Sequence, residues 1–358
     1  MGSLAAAALV LAISVSTASA QAPNQPAAAP PSAPAAQPPQ NYVSAPAVAP
    51  TAPVDPFPAI DPKYFTASTP SRETVSEFLH SIWGYDNHRL WRVMAIQNTA
   101  APGVAKVTVF IADTTPNAQV QSAVFFITPD GHHAIGAGAG VVPFGAKPFE
   151  DLRQMLRARA DGATRGAAAK DFELVEFADL QCPHCKEAQA TMDQIVHDFP
   201  KAHVVFQLFP LVDIHSSAFK AAAFGICAQK QSGDAFFQYA AAVFDTQEAL
   251  SSATEDTVLK GAATRAGLDA DAIAACAATQ PTKDAVNADI KLATDADIEQ
   301  TPTLVVNGRM IPISSDLPYE TLKKIIQFQA TLDGVDSGAT AETLADKPTQ
   351  PTLQTLPK

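Results

Sequence analysis

The sequence predicts an α/β domain preceded by a small α+β domain, and three observations carry that reading. An apolar run at residues 172–177 gives way, across Cys182-Pro183-His184-Cys185, to apolar residues at helical spacing. A second apolar run at 203–209 is followed by an Ala-rich helical rhythm from about 215 to 300. Asn307-Gly308 then separates two further apolar runs, a strong hairpin signal. A strand, a helix, a strand and a closing hairpin make a βαβ unit extended by further strands, with a helical insertion between its halves.

The chain of 358 residues is 47% hydrophobic and 17% charged, enough for two modest domains with separate cores. Its net charge of −12 leaves no basic footprint for nucleic acid or an anionic membrane surface. Residues 1–20 are apolar and end in Ala18-Ser19-Ala20, the small-x-small pattern of a signal peptide, although no Lys or Arg precedes Lys63. Export to the periplasm or beyond is therefore expected. Residues 21–60 hold 12 Pro and 12 Ala with Asp55 the only charge, so 21–63 is expected to be an extended linker.

An N-terminal α+β domain is expected over 64–168. Thr69-Pro70 precedes a helix with Val75, Phe78, Leu79 and Ile82 on one face, and strand-like runs follow at 90–96, 106–111 and 120–127. The turn at Thr128-Pro129-Asp130-Gly131 leaves room for another short strand. His132 and His133 beside it read as a solvated hairpin rather than a metal site, because no further ligands accompany them. A helix through Phe149, Leu152, Met155 and Leu156 then leads through a Gly/Ala-rich connection, 161–170, into the second domain, expected over 169–334. A Thr/Pro-rich tail, 335–358, buries too little to order itself.

The chemistry concentrates at the two cysteines. Strand 172–177 delivers Cys182 to a helix start, where unpaired N–H groups and the positive end of the macrodipole favour thiolate over thiol. Pro183 suits the first helical turn, and His184 can add a positive or hydrogen-bonding influence on the Cys182 sulfur. A stabilised thiolate stabilises the reduced form and makes the disulfide more oxidising. Half of a zinc site is the competing reading, but no second Cys-x-x-Cys or His-x-His cluster exists to complete four ligands.

Cys182-Pro183-His184-Cys185 following Glu176-Phe177 resembles the active site of the DsbA family of periplasmic thiol-disulfide oxidoreductases, which implies a thioredoxin fold with the helical insertion covering one side of the site. The resemblance implies that Thr301-Pro302 is the cis-proline element facing the cysteines, with Thr301 offering backbone groups to a substrate strand. It also places Glu176, six positions before Cys182, as a buried acid able to relay the Cys185 proton, against the alternative of a salt-bridged core acid. Cys227 and Cys276 resemble the second, structural pair of such relatives. If paired, their loop contributes about 4 kcal/mol by chain entropy, and two buried free thiols remain the alternative. His215 reads as a helix-start residue.

The implied function is disulfide exchange with cysteine-containing exported proteins, with a membrane redox partner of the DsbB or DsbD kind and no metal or organic cofactor beyond the Cys182–Cys185 disulfide. The domain order resembles that of the disulfide isomerases DsbC and DsbG, which implies a homodimer through the N-terminal domain. An oxidase, a dimeric isomerase or reductase, and a non-enzymatic chaperone or binding module with an inert bridge all stay open at this level.

Overall fold

The computed structural model describes residues 55–115, 118–136 and 140–339. The expected signal peptide, residues 21–54 of the linker and residues 340–358 of the tail lie outside the described residues.

The first half is a helix laid on an antiparallel meander. α1 (Arg72–Trp83) starts at Ser71, whose hydroxyl accepts the Thr74 N–H at 3.1 Å, a side-chain N-cap. Five strands follow in sequence order: β1 (Arg89–Asn98), β2 (Ala105–Asp113), β3 (Gln121–Ile127), β4 (His133–Gly136) and β5 (Gly140–Pro143). Alternation sends Val93, Val107, Val109, Ile127 and Ala134 inward against Val75, Phe78 and Leu79 of α1. The opposite face stays open. There Phe126 faces Ile135 and Ile135 faces Val141 across neighbouring strands, and all three are exposed, as is Val124.

The end of the expected linker is part of this half. Asp55 pairs with Arg92 of β1 at 2.6 Å, and the Arg92 guanidinium lies over the Phe57 ring. The chain thus settles onto the outer face of β1 about eight residues earlier than composition suggested, because a charge pair and an aromatic ring supply what Ala and Pro cannot.

The second sheet has the order β10-β9-β7-β8-β6. β7 (Glu173–Ala178) and β8 (His203–Leu208) run parallel, joined by α3 (Pro183–Asp198), and every residue of both strands is buried. β9 (Thr303–Val306) is antiparallel to β7, and β10 (Arg309–Pro312) closes the hairpin through Asn307-Gly308. One face carries α2 (Glu150–Arg159) and α8 (Gln280–Asp295), through Leu156 and Leu292, on Val175, Val205 and Val305. The other carries α3 and α9 (Tyr319–Leu332) on Leu174, Val204, Leu304 and Val306. Between β8 and β9 the insertion comprises α4 (Ala218–Gln229), α5 (Gly233–Asp245), α6 (Glu255–Arg265), α7 (Ala270–Ala277) and α8. Among the described residues no helix is long and apolar enough to cross a membrane.

Three expectations are corrected. The connection 161–170 contains a strand, β6 (Ala163–Gly166), antiparallel to β8 at the sheet edge. It fits there because Gly162 has no side chain: a Cβ would meet the Phe206 carbonyl oxygen at 2.1 Å. The domain boundary expected at 168/169 falls earlier, since α2 packs on the second sheet and β6 belongs to it. The first residues of the tail also pack: Val335 and Ala339 join the α3/α9 core, and Asp336 pairs with Lys201.

The two halves meet at Arg309 of β10. This buried side chain donates from Nε to Gln329 Oε1 at 2.9 Å and from Nη2 to the Ser81 carbonyl of α1. Its guanidinium lies 4.3 Å from the centre of the Phe149 ring and faces Phe328 on another side. Burial depresses its pKa to about 10.

Candidate active site

β7 leaves the sheet at Ala178, and Asp179, Leu180 and Gln181 turn the chain so that Cys182 becomes the N-cap of α3, in extended conformation, with Pro183 as the first helical residue. The missing proline N–H costs nothing there, since the first amides of a helix have no internal partner. Cys182 is 5% exposed and Cys185, one turn on, is fully buried. The structure presents both as free thiols.

Their surroundings differ in kind. The Cys182 thiol points to the Thr301 carbonyl at 3.7 Å. Hydrogen bonding from the Cys185 thiol, above all, lowers the Cys182 pKa to about 5, helped by Thr301 and the backbone N–H groups of Cys185 and His184, against burial. Burial, and then the Cys182 sulfur, push the Cys185 thiol far up. Its Sγ accepts the Asp179 N–H at 3.3 Å. One sulfur is thus stabilised as an anion at the rim and the other held protonated behind it. That asymmetry suits an attacked sulfur and a leaving, resolving sulfur.

Thr301-Pro302 precedes β9 and carries a cis peptide bond. Because β9 is antiparallel to β7, with Phe177 opposite Thr303, the start of β9 lies at the end of β7, and Thr301 comes to the cysteines by topology. Glu176 is 1% exposed on the face of β7 that meets α3. Burial raises its pKa to about 7, while Gln189 opposes the rise by donating to Oε1 at 2.8 Å. The same Gln189 amide also donates to the Cys185 carbonyl at 3.0 Å, linking the acid to the buried cysteine through one side chain.

Two histidines near the site make specific contacts. The His184 imidazole faces solvent and Glu187, 3.2 Å away, so its influence on Cys182 comes from its backbone N–H and not from the ring. His215 lies ahead of α4, whose N-cap is Ser217, and its Nδ1 contacts Asp179 Oδ2 at 2.7 Å. The Asp179 side chain is fully buried. It also accepts the Leu211 N–H on Oδ2 and the Gln181 N–H on Oδ1. Sequence reading passed over Asp179 and Gln189. The visible signal was an acid three residues before Cys182 and an amide one helical turn after Cys185.

Away from the site, Cys227 of α4 and Cys276 of α7 form a disulfide with Cα atoms 6.1 Å apart. His133 bonds Asp130 at 2.7 Å at an exposed turn. Among the described residues no group of three or more His, Cys, Asp or Glu side chains could hold a metal ion.

Comparison with known proteins bears on the second half of the chain. The thioredoxin family model matches residues 159–328. Two curated relatives are Na(+)/H(+) antiporters: NhaA 3 of Salinispora tropica is 29% identical over 145 residues, covering 40% of this chain and 21% of the antiporter. NhaA 1 of Mycolicibacterium vanbaalenii is 31% identical over 165 residues, 45% of this chain and 24% of its own. The chain spans between a fifth and a quarter of the length of these relatives. Among solved structures, a periplasmic thioredoxin-like protein from Salmonella enterica serovar Typhimurium is 19% identical with a TM-score of 0.41, over 50% of this chain and 96% of that one. Oxidised BdbD from Bacillus subtilis is 20% identical with a TM-score of 0.43, over 48% and 93%. Reduced DsbG from Mycobacterium tuberculosis is 18% identical with a TM-score of 0.40, over 53% and 100%. The family match covers β6 to α9, the same elements that carry Cys182, Cys185 and Thr301. Residues 159–328 therefore form a thioredoxin-like domain with a helical insertion.

Proposed function

We propose that this chain is an exported thiol-disulfide oxidoreductase that exchanges disulfides with cysteines of other exported proteins and runs chiefly as an oxidase. The observation that carries the reading is the asymmetry of the pair: Cys182 at the helix start, taking hydrogen bonds from the Cys185 thiol and the first amides of α3, and Cys185 fully buried behind it.

In the oxidised form a substrate thiolate attacks Cys182 Sγ, the Cys182–Cys185 bond breaks, and Cys185 leaves and takes up a proton. A second substrate thiolate attacks the substrate sulfur of the mixed disulfide and expels the Cys182 thiolate. The substrate loses two electrons and the site gains them as a dithiol. Glu176, with a pKa near 7, is suited to supply and recover the Cys185 proton. Thr301 and cis-Pro302 present backbone to a substrate strand. The only redox centre needed is the disulfide itself. Returning it to the oxidised state requires an external disulfide or a quinone-linked membrane partner of the DsbB kind.

Lowering the Cys182 pKa to about 5 makes the thiolate the form present at pH 7, which stabilises the reduced pair and makes its disulfide more oxidising. Export is supported by the 1–20 pattern and by the Cys227–Cys276 disulfide, which suits an oxidising compartment.

A second reading, a dimeric isomerase or reductase kept reduced by a DsbD-like partner, is favoured by one observation. The open face of the first sheet exposes Phe126, Ile135 and Val141 in one cross-strand row beside the edge strand β5, a surface a second copy could cover. The deciding experiment traps the thiols of the exported protein as isolated and reads their redox state. A mostly oxidised Cys182–Cys185 pair supports the oxidase, a reduced pair with a dimeric mass supports the isomerase, and a bridge inert to dithiothreitol rejects both.

A further inference from the structure

We propose that the main-chain N–H of Asp179 is the hydrogen-bond donor that meets the Cys185 sulfur as it leaves and re-attacks, and that the Asp179 carboxylate and His215 are positioning residues that hold this donor in place. This rests on the exchange reaction above and assigns a further part of the same site.

The aim of the N–H comes from the sheet. The Ala178 carbonyl accepts the Phe209 N–H at 2.8 Å, just past the end of the β7/β8 pairing. A trans peptide is planar and sets its N–H opposite its C=O, so the Asp179 N–H points away from β8, toward the side where β9 runs. Carried two residues past Phe177 and Thr303, the β7/β9 register sets Asp179 opposite Thr301. The pairing of β7 with β9 ends at Phe177, however, and the Asp179 N–H goes to Cys185 Sγ at 3.3 Å. A rung of the sheet is thus turned over to a sulfur.

The Asp179 side chain keeps the turn in that shape. Its carboxylate is fully buried and takes the Gln181 N–H on Oδ1 at 2.7 Å, with the Leu211 N–H and His215 Nδ1 on Oδ2 at 2.9 and 2.7 Å. A carboxylate only accepts, so His215 Nδ1 carries the proton. The Asp179 carbonyl takes the Cys182 N–H at 3.0 Å and closes the turn.

The chemistry calls for a donor at this atom. Cys185 is fully buried, and burial, then the Cys182 sulfur, hold its thiol far above the ordinary range, which the Thr301 side chain and the Asp179 N–H oppose. As a substrate sulfur bonds to Cys182 Sγ, the electron pair of the Cys182–Cys185 bond departs on Cys185 Sγ, before a proton reaches it. A preorganised N–H stabilises that charge as it develops. The return step, in which Cys185 attacks Cys182 Sγ and expels the other sulfur, passes through the same charge distribution. At rest the reduced Cys185 is a thiol, so the donor changes rates in both directions and leaves the redox equilibrium where it was.

The test mixes the full chain, reduced at Cys182 and Cys185, with dithiobis(nitrobenzoate). The first coloured thionitrobenzoate is released as the reagent adds to Cys182, and the second as Cys185 attacks Cys182 Sγ and expels it. Asp179→Ala and His215→Ala are expected to slow the second release about fivefold, because one hydrogen bond to a full charge is worth about ten- to a hundredfold and the sulfur carries only part of a charge. The first release, its pH midpoint near 5 and the equilibrium with glutathione stay as in the wild type. His215→Asn, whose amide N–H can stand where Nδ1–H stands, restores the second release. Should Asp179→Ala melt too low to assay, the two His215 variants decide. An unchanged second release overturns the proposal, as does one that His215→Asn slows equally. A midpoint or glutathione equilibrium that moves with the rate also overturns it, since the pair then only props the turn. A wild type that never gives the second release overturns the oxidoreductase reading itself.

Discussion

Cys182 and Cys185 lie three positions apart at the first turn of α3, whereas Cys227 and Cys276 lie 49 apart and tie α4 to α7. All four border one apolar core. What separates the pairs is backbone. Cys182 caps a helix and takes hydrogen bonds from the Cys185 thiol and the Cys185 and His184 N–H groups, and Cys185 is desolvated behind it, so the first pair has built-in uses for a thiolate and for a thiol. The second pair sits in the last turns of α4 and α7, where its neighbours are apolar side chains and the Thr282 hydroxyl. The proposed difference in reactivity therefore rests on where a sulfur sits relative to a helix start, not on how deeply it is buried.

The comparison breaks most sharply by substitution. Cys182→Ser is expected to abolish exchange with a two-cysteine peptide, while a Cys227→Ala/Cys276→Ala variant retains it; loss of exchange in both would erase the distinction. Next in size is acidity. Iodoacetamide labelling of Cys182 against pH should give a midpoint near 5, labelling fading below it as the thiolate is protonated. A midpoint near that of free cysteine, about 8.5, would remove the catalytic role.

The structural pair should show itself in stability instead. Opening its 49-residue loop is expected to cost about 4 kcal/mol in urea unfolding, where Cys182→Ser costs far less. The smallest effect belongs to Glu176. Its folded pKa, near 7, exceeds the ordinary 4.5, so the folded state holds a proton the unfolded state has released, and stability falls as pH rises from about 4.5 to 7. Glu176→Gln should therefore be more stable than wild type by up to about 3 kcal/mol at pH 8 and indistinguishable from it below pH 4. It should also slow reoxidation of the dithiol without moving the Cys182 midpoint; unchanged reoxidation would reduce Glu176 to a core acid.

The same contrast explains what could be read from sequence. Apolar runs such as 172–177 and 203–209 are legible because a strand buried on both faces tolerates little else, and the Cys182-to-Cys185 spacing is legible because a helix start explains it. β6 was hidden because Ala163, Thr164, Arg165 and Gly166 show no apolar run; it is a strand only because β8 offers it an edge. Asp179 and His215 are 36 residues apart and meet only through the fold. The direction of the His184 ring was not legible because sequence cannot say which way a side chain faces; here it turns to Glu187.

The Arg309 clamp has a mechanical consequence. Parting the meander from the thioredoxin-like sheet would exchange the Ser81 carbonyl on the Arg309 guanidinium for water, at a cost of about 1.5–3 kcal/mol for a hydrogen bond to a charged group. That bond favours the arrangement seen here, and with it one aim of the Cys182 sulfur relative to the Phe126–Ile135–Val141 row.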